Sequence, residues 1–271
     1  MIQLTDDEFS WLVTYIRNNY GIDLSKKRLL IEARMYSVLV KHDFTSFSQY
    51  FSYLKQNENE LNTLLNKLTT NHTYFMREPR HFDFLREVIL PQQLKENREH
   101  SLRIWSAGCS TGEEAYTAVM TMKDFFRQSP GWDTRILATD ISTKVLAEAQ
   151  QRVYSAEDLQ NLPESWKRLY FTQSDDVFLL KDEIRREVIF RRLNLMEDFH
   201  FQRPFDLIFC RNVMIYFTKE AKDSLIRKFC NMLKPGGYLF IGHSENIQNE
   251  VPDLHYVEPS IYQKGRLDAK R

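Results

Sequence analysis

Apolar positions recur at three- and four-residue spacing through residues 1–70, then give way to short apolar runs beyond about residue 100. Thr5 and Glu8 make a capping box ahead of Phe9, Leu12, Val13 and Ile16, which share one helical face, and Gly21 ends that helix. A second helix is predicted from about Ser25 to His42. Ser46 with Gln49 opens a third, and residues 58–69 form a fourth whose stripe is Leu61, Leu64, Leu65 and Leu68. No strand-like alternation occurs here, so residues 1–70 read as an all-helical domain. In the remainder, 71–271, the runs "LRIWSAG", "TRILATD", "VIFRRLNL", "FDLIFCRNV", "GYLFIGHS" and "PSIYQKG" alternate with helices near 113–127, 143–151 and 219–233. That alternation predicts an α/β fold with a doubly wound, mostly parallel sheet. Lys234-Pro235-Gly236-Gly237 reads as a turn that stops the last helix and launches a strand. Residues 168–193 hold three strand-like runs in succession around Ser174-Asp175-Asp176, which predicts a small antiparallel β insert at the edge of the fold.

Charge changes the picture little. Lys+Arg and Asp+Glu are both 37, so no global field draws in nucleic acid or an anionic membrane, and neither is expected as a partner. Cys109, Cys210 and Cys230 are far apart with no C-x-x-C pair, which fits a reducing compartment; no disulfide frame and no metal site are expected. The first residues show no basic and apolar leader, and no apolar run nears the ~18–20 residues of a membrane span. The expectation is a cytoplasmic protein without membrane insertion, and a monomer.

The candidate chemistry centres on "RIWSAGCSTGEEAY", residues 103–116. A strand leads into a small-residue loop, and Glu113 and Glu114 open the next helix. A pyrophosphate would want backbone N–H groups there without carboxylates. No Gly-Lys-[Ser/Thr] follows, and Gly108 and Gly112 lack the G-x-G-x-x-G spacing of a dinucleotide site. A positively charged nucleoside without phosphate fits better, and S-adenosylmethionine has that character. Asp140 ends the following strand, where such folds hold ribose hydroxyls. Helix-dipole compensation by the glutamates and helix capping by Asp140 are the competing readings of the same residues. Arg211 and Asn212 arrive at the carboxyl end of "FDLIFC", with Tyr216 in the loop beyond. Met214, Ile215 and Phe217 read as core. The polar cluster Asn71, His72, Thr73, Tyr74 and Arg77 links the two domains and reads as a lid over the site.

Together "NHTYFMRE", "WSAGCSTGEEAY", "ATDIS", "LNL", "FDLIFCRNVMIYF" and "LKPGGYLFIGHSE" resemble the chemotaxis receptor glutamate methyltransferases, the CheR family, over nearly the whole chain. The resemblance implies a Rossmann-like class I methyltransferase that transfers a methyl from S-adenosylmethionine, leaving S-adenosylhomocysteine, to glutamates on the cytoplasmic helices of transmembrane chemoreceptors. It implies cofactor contacts at Asn71, Thr73, Arg77, Gly108, Glu114, Asp140, Asn194, Leu195, Arg211 and Asn212. Arg77 and Tyr216 would lie nearest the methyl as orienter and positioner. His72, Met76 and Ala115 depart from residues frequent in the family. A glutamate nucleophile with a pKa of about 4.3 is already ionised at neutral pH, so no general base is required. The competing readings are a methyltransferase for another substrate and a non-catalytic module that only binds the cofactor. The helical domain weighs against the first, and Arg77 with Tyr216 against the second.

Two expectations concern the receptor. Lys27, Arg34 and Lys41 recur every seven residues, with Lys26 and Arg28 beside them; the face reads either as a solvated surface or as a basic ridge for acidic receptor helices. In the family the insert can dock a peptide at the receptor C-terminus. Members that do so carry a glycine-containing extension of its first turn. No glycine lies between Arg168 and Arg192, so tether-independent methylation is expected.

Overall fold

The computed structural model describes residues 2–247 and 251–266. The chain opens with α1 (Asp6–Tyr20), α2 (Arg28–Lys41), α3 (Phe47–Gln56) and α4 (Glu58–Leu68). The capping box of α1 is reciprocal: Glu8 N–H donates to Thr5 Oγ1 at 3.2 Å and Thr5 N–H to Glu8 Oε2 at 2.8 Å. Gly21 caps it in the left-handed region at φ 69°. Ser46 caps α3 by accepting from Gln49 N–H. Helix α2 starts three residues later than the pattern predicts. Asp23 Oδ1 accepts from Ser25 N–H and Leu24 C=O from Lys27 N–H, so this stretch closes a turn instead. Leu12, Ile16, Ile31, Met35, Phe47, Tyr50, Leu64 and Leu65 are fully buried and form the core of this helical unit.

The second unit runs α5 (Arg80–Phe84), a π-helical turn at Leu85–Ile89, α6 (Leu90–Glu96), β1 (Ile104–Ala107), α7 (Glu113–Phe125), β2 (Ile136–Asp140), α8 (Thr143–Gln151) and β3 (Val153–Ser155). It continues with α9 (Glu164–Tyr170), β4 (Phe171–Ser174), β5 (Val177–Leu180), α10 (Asp182–Arg185), β6 (Val188–Arg192) and β7 (Phe205–Cys210). It closes with α11 (Lys219–Met232), β8 (Leu233–Ile241), β9 (Leu254–Glu258) and β10 (Ile261–Lys264). The main sheet has the order β6-β2-β1-β7-β8-β10-β9. Its first five strands are parallel and its last two antiparallel. Every residue of β7 is buried, as a strand covered on both faces demands. One face packs Phe82, Leu85, Ala118 and Phe240, the other Trp105, Ile208 and Phe229.

A second sheet has the order β3-β5-β4. This corrects the predicted insert at 168–193. Two of its runs pair as β4 and β5, but Val188–Arg192 is the parallel edge strand of the main sheet, and the third insert strand is Val153–Ser155. The predicted turn at 234–237 is likewise part of β8, with a register shift against β7 between Phe205 and Leu207. A Cβ on Gly237 would lie 3.0–3.1 Å from three carbonyl oxygens, so the backbones crowd there too closely for a side chain.

The strand order reverses about β1, with β2 on one side and β7 on the other. The crevice beyond the carboxyl ends of β1 and β7 is therefore where a ligand is held in such sheets. The helical unit closes over it. Asp23 N–H donates to Tyr216 C=O at 2.8 Å, Thr218 N–H to Gly21 C=O at 3.0 Å, and Asn194 Nδ2 to Asn19 C=O at 2.9 Å.

Candidate cofactor cleft and active site

The crevice opens to solvent and is lined from both units, as small-molecule sites between units often are. Tyr20, Ile22, Leu24 and Leu30 form one wall from the helical unit, and the loops after β1, β2 and β7 form the others. All eleven residues predicted for the cofactor or the reaction line this single cleft, from Asn71 in the linker to Tyr216.

The loop after β1 is pulled tight by Gly108 N–H and Cys109 N–H, which both donate to Thr139 C=O. Gly108 has φ 85°, and a Cβ there would sit 2.3 Å from Val213 Cγ2. Only glycine lets the loops after β1 and β7 approach this closely. Ser110 N–H donates to Asp140 Oδ2 and Ser142 N–H to Oδ1, both at 2.9 Å, while Ser110 Oγ donates to Asn71 C=O. Asp140 is buried; burial pushes its carboxyl up, and the Ser142 and Ser110 N–H donors oppose that. The capping and ligand readings are thus compatible, since a carboxylate offers about four acceptor sites and the backbone N–H donors do not fill them.

Arg211 is the centre of the floor. Its guanidinium, 2% exposed, meets Glu114 Oε2 at 3.1 Å and Glu78 Oε2 at 3.3 Å, and donates to Arg77 C=O. Glu114 Oε1 also accepts from Ser106 Oγ at 2.7 Å. Burial raises the Glu114 carboxyl and Arg211 counteracts it. One guanidinium faces two carboxylates, with Asp140 beside them, so the floor favours a cationic ligand. Asn212 sits at φ 58°; its Nδ2 donates to Glu78 Oε1, and its buried Oδ1 has no hydrogen-bond partner among the described residues. Such an acceptor is costly unless a ligand completes it. Asn194 is spoken for differently: Nδ2 donates to Asn19 C=O and Oδ1 accepts from Met196 N–H, so it fixes the loop beside Leu195.

The exposed part of the cleft is basic. Arg77 Nη1 donates to His72 C=O at 2.6 Å, with the guanidinium over the Tyr74 ring, and Lys27 and Tyr216 border the same opening. This places Lys27 at the cleft. Two other members of the predicted ridge are engaged within the helical unit. Arg34 donates to the carbonyls of Lys67, Leu68 and Thr69, and Arg28 pairs with Asp6 at 2.6 Å. Only Lys26, Lys27 and Lys41 of the five are exposed.

A family model described as "CheR methyltransferase, SAM binding domain" matches residues 71–262, and one described as "CheR methyltransferase, all-alpha domain" matches residues 7–69. The chain belongs to the CheR family. A chemotaxis protein methyltransferase of Borreliella burgdorferi is 45% identical, over 97% of this chain and 96% of its own. Chemotaxis protein methyltransferase 2 of Vibrio cholerae is 35% identical, over 99% and 98% respectively. The chemotaxis protein methyltransferase of Salmonella typhimurium is also 35% identical, over 96% and 91%. The chain is accordingly an S-adenosylmethionine-binding methyltransferase of the chemotaxis type, on a class I Rossmann-like fold.

The cleft fits that cofactor. Its acidic floor suits a sulfonium and an ammonium group, and the spare acceptors of Asp140 and Asn212 suit hydroxyl or amino donors. Two residues of this CheR-family site escaped the sequence reading although both lie in quoted motifs. Glu78 joins Arg211, Asn212 and His243 N–H. Glu245 is buried and accepts from the N–H groups of Asn212, Ile215 and Gly242 at 3.0, 3.0 and 2.6 Å, which sets the loop that carries Tyr216. Nothing local in the sequence separates either from a surface glutamate.

Proposed function

We propose that this enzyme methylates glutamate side chains on cytoplasmic helices of transmembrane chemoreceptors, giving glutamate methyl esters. The carrying observation is the segregation of charge in one cleft: carboxylates Glu114 and Asp140 with Arg211 on the floor, cations Arg77 and Lys27 at the opening. When bound, S-adenosylmethionine supplies an electrophilic methyl. Asp140, Glu114, Asn212, Asn71 and Thr73 would hold it, with Gly108 giving the backbone clearance and Leu195 bordering the adenine. Arg77 draws in the substrate carboxylate, keeps it ionised against desolvation and aims its oxygen. Tyr216 positions that oxygen by a hydrogen bond. Alignment of this kind supplies up to roughly 7–11 kcal/mol without an acid or base.

Helix α2 supports a helical partner. Leu29, Ala33, Tyr36 and Val40 lie at i, i+4, i+7 and i+11, and Leu29 is 80% exposed. That apolar stripe, with Lys26 in the turn before the helix and Lys41 at its last residue, suits a partner helix with an acidic margin. The β4–β5 turn is the two residues Asp175-Asp176, with Asp175 at φ 52°. A two-residue hairpin has no glycine-containing extension, and its two aspartates repel an acidic peptide, which supports methylation without a C-terminal tether. The test is transfer of a labelled methyl from S-adenosylmethionine to receptor-containing membranes. Base-labile label on the receptor, equal for receptors with and without their last five residues, is the expected outcome. Label that survives base overturns the ester, and loss on truncation overturns tether independence.

A further inference from the structure

Behind the cleft floor, Glu78, His81 and His243 bring three ligand atoms within 4.8 Å of one another. His81 Nδ1 lies 3.5 Å and His243 Nε2 4.0 Å from Glu78 Oε2. Ligands bound at about 2.0–2.1 Å around one tetrahedral zinc ion are roughly 3.4 Å apart, so the first pair is already at that spacing. His243 is half exposed and is the ligand with freedom to close in. His81 supplies a second, independent observation. Its ring is fully buried, stacked on Phe240 at 5.0 Å, and neither ring nitrogen has a hydrogen-bond partner among the described residues. A buried imidazole with an unused lone pair beside a carboxylate is what a borderline divalent ion selects.

We propose that Glu78, His81 and His243 form a binding site for a divalent transition-metal ion such as Zn²⁺, and that the ion competes with Arg211 for Glu78. Glu78 Oε2 accepts from Arg211 Nε at 3.3 Å, and Oε1 from Asn212 Nδ2. An ion bound at Oε2 shares that oxygen with Arg211, and its charge repels the guanidinium. Arg211 and Asn212 line the cofactor cleft, so occupancy of the outer site weakens cofactor binding in the inner one. The ion takes no part in methyl transfer. It acts as an antagonist, by loosening Arg211 from the carboxylate that shapes the floor.

Calorimetry with ZnCl₂ on the tag-free full chain tests this. Wild type is expected to bind one equivalent at low micromolar Kd, and His243→Ala to bind at least tenfold more weakly. His243 is outside the cleft lining and its backbone contact to Glu78 survives the substitution, so metal-free S-adenosylhomocysteine affinity is expected unchanged. Saturating zinc is expected to lower that affinity at least threefold in wild type and to leave His243→Ala unmoved. Equal zinc affinity in the two proteins, or a thiolate charge-transfer band from added Co²⁺, overturns the site. Site-specific binding without an effect on S-adenosylhomocysteine overturns the competition. None of these readings involves a receptor, so they stand apart from the substrate proposed above.

Discussion

Asp140 ends a buried strand with each carboxylate oxygen already taking one backbone N–H, from Ser110 and Ser142. The residue that shapes the loop is thus the one with acceptors left for a ribose, and the two roles have separate signatures. Asp140→Ala is expected to weaken S-adenosylmethionine and S-adenosylhomocysteine alike by at least tenfold, since a hydrogen bond to a charged group is worth about 1.5–3 kcal/mol. Calorimetry showing unchanged affinity for both removes Asp140 from the site. Glu113 and Glu114 show where single residues stop being legible. They are adjacent and alike in sequence, but one residue of helix turns the side chain by roughly 100°. Glu114 meets Arg211 in the cleft, whereas Glu113 packs behind the loop with both oxygens on Thr111 Oγ1. Burial raises the Glu113 carboxyl to about 7 from an ordinary 4.5. The sign follows from linkage: its contribution is fully present below about pH 4.5 and is lost as pH rises through about 7. Glu113→Gln removes that loss. The variant is expected to gain on wild type by about 3 kcal/mol from near pH 5 to near pH 8, at ~1.36 kcal/mol per unit. Urea unfolding at the two pH values checks it, and a difference that stays constant removes Glu113 as the titrating group.

Among the elements, the long helices and the buried parallel strands were legible because each carries its own period and its own ends. Thr5 and Glu8, Ser46 and Gln49, and the unbroken "FDLIFC" act locally. What failed depends on distant pairing. Val153–Ser155 is three residues long and is a strand only because Leu179, Phe178 and Val177 lie opposite. Val188–Arg192 alternates buried and exposed like an insert strand, and only its pairing with Ile136–Asp140 places it in the main sheet. Arg34 falls on the predicted ridge by spacing alone for the same reason: nothing near it in sequence shows that it meets the end of α4, some thirty-five residues on. There it closes the Lys67, Leu68 and Thr69 carbonyls left open at a helix C-terminus. Arg34→Ala is expected to destabilise the protein by about 2 kcal/mol through those lost charged hydrogen bonds. A change below a few tenths in urea unfolding shows that solvent replaces them without cost.

At the scale of the whole molecule, the motifs reported which fold and which cleft, but not that the α1–α2 loop forms a wall of it. That contact joins Gly21 and Asp23 to residues 216–218, and no pattern in either segment announces it. It also settles which charges are available to a partner. The chain is neutral overall, so attraction to an acidic receptor must come from local cations. Reversing Lys27, Arg34 and Lys41 together would confound docking with a cleft residue and a helix cap. Lys26 and Lys41 are exposed, lie outside the cleft, and flank the apolar stripe of α2. Lys26→Glu with Lys41→Glu is expected to leave urea stability and S-adenosylhomocysteine affinity within error of wild type. Electrostatic attraction acts mainly on encounter, so receptor methylation at low salt should fall roughly tenfold in kcat/KM. The Debye length shrinks from about 30 Å at 0.01 M to about 10 Å at 0.1 M, so most of that gap should close as salt is added. A defect that persists at high salt would point to lost contact and not to steering. Wild-type rates at low salt would remove Lys26 and Lys41 from the docking surface and leave the apolar stripe to carry it.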